Sequence, residues 1–145
     1  MVSAAPAVQV SSPAEAFAAI CLAAVACDGE LATLEVRGLR QQLEYRQPYC
    51  RFSDAAMERL LDGLLQILRL DGCDALVCQA VPLLDARQRE TALAVAADLT
   101  RADHVESTAE QHFLARLAQQ LEISHERSAT ILEVIALLNN DSLAG

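Results

Sequence analysis

The chain has 145 residues, enough for one domain that buries a core without disulfide or metal support. Its 53% apolar content is mostly Ala, Leu and Val, and five Gly and four Pro are too few for a fibrous or disordered chain. The net charge is −9 and all eleven basic residues are Arg, so no basic stripe exists to neutralise nucleic-acid phosphates or to seek an anionic membrane.

The N-terminus, M-V-S-A-A-P-A-V-Q-V-S-S-P-A-E, lacks the basic residues of a secretion signal. Residues 1–11 are expected as a flexible segment, and 12–139 as one helical domain. The first helix opens at Ser12-Pro13-Ala14-Glu15, which joins an N-cap serine, proline at the first helical position and glutamate at the third. Phe17, Ile20, Cys21, Ala24 and Cys27 then follow at three-four spacing. A second helix is expected from Thr33 to Tyr45 with Val36, Leu39 and Leu43 inward, ending at a loop around Pro48.

Ser53 caps a third helix with Met57, Leu60, Leu61, Leu64, Leu65 and Leu68 on its buried face. Asp71-Gly72-Cys73-Asp74 reads as a turn, followed by a short helix over Ala75 to Ala80 that Pro82 ends. Asp85-Ala86-Arg87-Gln88 is a capping box opening a helix through Leu93, Ala97 and Leu99. Ser107-Thr108-Ala109-Glu110 is another, ahead of Phe113, Leu114, Leu117 and Leu121. Ser124 caps the last helix, with Ile131, Leu132, Ile135 and Leu138 expected inward, and residues 140–145 form a short tail. No polar-apolar alternation supports a strand. The expected fold is all-α: a single compact bundle of about seven helices.

One segment recurs. Sliding the chain by 75 residues places Asp28 on Asp103, Glu35 on Glu110 and Leu39 on Leu114. Allowing for the longer Pro48 loop, Ser53-Asp54-Ala55 then falls on Ser124-His125-Glu126. The echo spans a three-helix unit: helix, acidic turn, helix, loop, helix. Glu35 and Glu110 fit the first turn of a helix, where free N–H groups and the helix dipole favour a carboxylate. Asp28 and Asp103 instead follow a helix C-terminus, where negative charge is unfavourable and a bound cation would compensate.

The two turns, A-V-A-C-D-G-E-L-A-T-L-E and R-A-D-H-V-E-S-T-A-E, resemble the paired A-D-G-x-(I/L)-x-x-x-E turns of the tellurite-resistance TerB family. Cys27 stands where alanine is usual, and His104 where glycine is common. The resemblance implies a cytoplasmic, non-enzymatic, all-helical module tied to tellurite or chemical stress. It also implies protein partners and a divalent-cation site drawn from Asp28, Glu30, Glu35, Asp103, Glu106 and Glu110. Calcium or magnesium, weakly held, is the expected ion. The site is no EF-hand, because Ala32 and Leu39 occupy ligand positions five and twelve counted from Asp28.

A metal-independent helical interaction or scaffold domain is the competing reading, and association with a second copy suits either. No activated serine, H-E-x-x-H or zinc-binding cysteine pattern supports an enzyme. His104, His112 and His125 fall in polar surroundings. The five cysteines, Cys21, Cys27, Cys50, Cys73 and Cys78, are expected as buried free thiols in a reducing compartment.

Overall fold

A computed structural model describes residues 9–26, 33–100 and 108–143, with helical placement but not side chains at 33–36 and 109–110. Helix starts fall where the caps are written. Ser12 Oγ accepts the Glu15 N–H at 3.2 Å and opens α1, Pro13–Val25. The Glu15 carboxylate reaches past Ser12 to Ser11, accepting its N–H at 3.1 Å and its hydroxyl at 2.7 Å. Thr33–Glu44 forms α2, and Ser53 caps α3, Asp54–Ala80, by accepting the Ala56 N–H at 3.1 Å.

The box at Asp85 is complete. Its carboxylate accepts the Gln88 N–H at 2.8 Å, and its own N–H donates to Gln88 Oε1 at 2.9 Å. This opens α4, Ala86–Thr100. Thr108–Gln120 is α5, and Ser124 caps α6, His125–Leu138. Single 3-10 turns lie at Tyr49–Arg51 and Val81–Leu83. Six α-helices and no strand are present among the described residues.

The count is six rather than about seven because α3 takes in both segments expected on either side of Asp71 to Asp74, and the break expected between them is present at Gly72. They are joined through a kink at Gly72, whose φ of 90° and ψ of 173° are non-helical. A backbone of that kind is open almost only to glycine. After the kink, Leu76, Val77 and Ala80 are buried.

Alanine decides the packing. In α1, Ala16 and every residue from Ala18 to Ala24 are buried, so this helix meets neighbours on all sides. It packs against α2, α3 and α4. Its short side chains let backbones approach closely, and Ile20 and Leu22 fill the remaining volume at about 2 kcal/mol each. The equivalent helix, α4, buries Ala92, Leu93, Ala96 and Ala97 and packs against α1, α5 and α6. The bundle is therefore two three-helix units joined through α1 and α4, in the order that the internal echo describes.

The second unit is looser on its outer side. Met57, Leu61, Leu64 and Ile67 of α3 are buried, whereas α6 contributes Ile131, Leu132 and Ile135 only at partial burial. Leu138, expected inward, is 73% exposed, because α6 meets its neighbours with one narrow face. Val10, within the N-terminal segment, is buried, and its N–H donates to Gln79 Oε1 at 3.0 Å. No helix among the described residues is long and apolar enough to cross a membrane.

Candidate functional site

The expected acidic site lies at the two connections between paired helices. Asp28, Glu30, Asp103 and Glu106 fall outside the described residues, as do Cys27, His104 and Ser107. Glu35 and Glu110 are placed by their helices alone. Glu35 lies on α2 and Glu110 on α5. The capped starts of α3 and α6 are 71 apart, at Asp54 and His125. The two glutamates are 75 residues apart in the chain, one on the second helix of each three-helix unit.

The first connection has a neighbour that the sequence pattern does not reveal. The Gly72 kink brings Cys73 to the C-terminus of α1, where its thiol lies 4.0 Å from the Ala23 carbonyl and 3.9 Å from that of Ala26. Burial, aided by the adjacent Asp74 carboxylate, raises the Cys73 thiol above its ordinary range. It faces the carbonyls at the end of α1 as a weak donor, sharing the Ala23 oxygen with the Ala26 N–H.

The other described thiols divide by position. Cys21 is fully buried on α1, and burial pushes it up to about 12. Cys50 and Cys78 are exposed, contrary to the expectation of buried thiols, because the loop around Pro48 and the outer face of α3 point them to solvent. All four described cysteines are free. His112 and His125 are exposed, as their polar surroundings imply. Among the described residues, no three His, Cys, Asp or Glu side chains gather within metal-binding range.

A cavity of about 580 Å³ opens where the start of α1, the Pro48 loop and the start of α4 converge. Phe17, Pro48, Tyr49 and Leu84 supply its apolar wall, and Arg46 and Arg87 its cations. Arg46 lies over the Phe17 ring, 5.5 Å from its centroid, and the Tyr49 ring meets Phe52 edge-on at 5.6 Å. The Tyr49 hydroxyl donates to the Ala14 carbonyl, pinning the loop to α1. Burial, reinforced by Cys21, raises the Tyr49 phenol above its ordinary value, so it stays neutral.

A polar cluster lies beside a second cavity of about 560 Å³ that Arg46 also lines. There Asp98 of α4 accepts the Gln42 amide of α2 and the Asn139 amide at the end of α6, each at 2.8 Å. Three elements are thereby tied to one carboxylate. Neither this cluster nor the first cavity is foreshadowed by the sequence, since each draws single residues from segments far apart in the chain. Unlike the acidic turns, they have no local spacing to find.

No known family, curated protein or solved structure matches the chain.

Proposed function

We propose that the chain is a non-enzymatic, TerB-like module of tellurite or chemical-stress response, acting in the cytoplasm through a protein partner. It holds a divalent cation, Ca²⁺ or Mg²⁺, through its two acidic helix-helix connections. The reading rests on the resemblance of the two turns to the TerB pattern. What supports it physically is the order of the helices: α1, α2, α3 is followed by α4, α5, α6, with Glu35 on α2 and Glu110 on α5 75 residues apart. Carboxylate oxygens in that number suit a hard cation, with water completing the shell.

Calorimetry and NMR titration with Ca²⁺, Mg²⁺, Mn²⁺ and Zn²⁺ test the proposal. The expected result is saturable binding of Ca²⁺ or Mg²⁺ with paired shifts near Asp28 and Glu110, abolished by D28N together with D103N. Absence of saturable binding by all four ions overturns the cation reading.

One observation favours the alternative, a metal-independent interaction domain. Val134, Leu137 and Leu138 on α6 are 55%, 64% and 73% exposed, an apolar strip of the kind that partner helices cover. Partner capture that survives replacement of all six acids, and fails in L137S/L138S, favours this reading over the first.

A further inference from the structure

We propose that the cavity between α1, the Pro48 loop and α4 binds a small organic acid: one carboxylate on an apolar, ring-sized body. The site is separate from the acidic connections and does not depend on them.

The argument begins with charge. The whole chain carries −9, yet this cavity presents two guanidinium groups, Arg46 and Arg87, against one carboxylate, Asp85. Asp85 is already engaged, accepting the Gln88 N–H at the start of α4. Neither arginine has a carboxylate within ion-pair range among the described residues. Arg40, Arg89, Arg116 and Arg127, by contrast, each have one at 2.8–3.1 Å. The local balance of one positive charge matches a monoanion. A dianion would meet the Asp85 charge and the negative field of the chain.

Shape and chemistry narrow the class further. A volume of about 580 Å³ lies within the range of small-molecule sites. Phe17, Pro48, Tyr49 and Leu84 offer apolar surface to a ligand body, and Arg46 is held in place by its stacking on Phe17. A guanidinium so fixed loses little side-chain freedom on binding, and its planar fork fits the two oxygens of a carboxylate. The neighbouring titratable groups, the Tyr49 phenol and the Cys21 thiol, are held neutral by burial and do not repel the anion.

NMR titration of the full chain with sodium benzoate at fixed ionic strength tests the proposal, with benzamide and inorganic phosphate run in parallel. Benzoate is expected to give saturable shifts at Phe17, Tyr49 and Thr91, with a Kd on the order of 1 mM for so small a ligand. Arg87→Gln is expected to weaken it about tenfold, and Arg46→Lys, which keeps the positive charge but not the planar fork, by less. Arg87 is exposed, so its replacement leaves the fold intact, as an unchanged melting temperature will verify. Benzamide binding as tightly as benzoate, phosphate binding more tightly, or benzoate shifts unchanged in Arg87→Gln would each overturn the assignment. So would shifts that fail to saturate.

Discussion

Arg89 offers the sharpest test of how this bundle is held together. From α4 its guanidinium donates to the Val81 and Leu84 carbonyls, both at 2.9 Å, and to Glu122 Oε2 at 3.0 Å. A longer contact of 3.4 Å reaches the Leu121 carbonyl, just past the end of α5. The side chain is 19% exposed, whereas Glu122 is 77% exposed. The ion pair is therefore the minor part, about 0.5 kcal/mol. The two short carbonyl bonds matter more: Arg89→Met removes both, at about 1 kcal/mol each, and leaves Val81 only its bond from the Leu84 N–H. With lost packing of the stem, the expected cost is about 3 kcal/mol, or roughly 10 °C in melting temperature.

Arg89→Lys should lose about half as much, since a single ammonium cannot reproduce the fork that spans both carbonyls. Glu122→Gln should cost under about 1 kcal/mol. Urea unfolding followed by far-UV circular dichroism measures all three. If Arg89→Met falls within about 1 kcal/mol of the parent, or Glu122→Gln matches it, the assignment of the energy to the carbonyl bonds is wrong.

Three other predictions follow from the same structure. The Cys21 thiol rises from 9.0 to about 12 on folding, so its contribution is intact below pH 9 and is lost as pH climbs toward 12. At pH 10.5 the loss is about 2 kcal/mol, and urea midpoints of Cys21→Ala should fall less steeply than the parent's over that interval. Gly72→Ala should destabilise by about 1–3 kcal/mol through its backbone alone, as an added Cβ meets nothing within 4 Å. Gly38→Ala, in open space on α2, should instead stabilise by up to about 1 kcal/mol, and thermal melts will show the opposite signs. Leu138→Ser should change stability by under about 0.5 kcal/mol, against about 3 kcal/mol for Leu93→Ala, both read from urea midpoints.

Much of this architecture is legible in the chain before any coordinates. Ser12, Ser53, Asp85 and Ser124 mark helix starts because capping is a local bargain between a side chain and N–H groups three residues away. The acidic repeat is legible in the sequence for the same reason, since its spacing is fixed along the chain. Periodicity likewise places Ile20, Leu39, Leu64 and Leu117 in the core.

What only the tertiary structure decided is where faces meet. Leu138 has the right spacing for burial, but nothing among the described residues covers that side of α6. Asp71 to Asp74 has the composition of a helix-ending turn and the Gly72 break falls there, but only packing brings Cys73 to the end of α1. Cys50 and Cys78 were unreadable because a thiol's preference for the interior is weaker than the geometry of the element carrying it. The cavity joins Phe17, Arg46 and Arg87, residues with no sequence relation. Their proximity depends on α1 packing against α4 and on the Pro48 loop being pinned to α1 through Tyr49. Local chemistry sets the helices and their ends, while long-range packing sets which residues become neighbours, because that choice depends on surfaces no single segment contains.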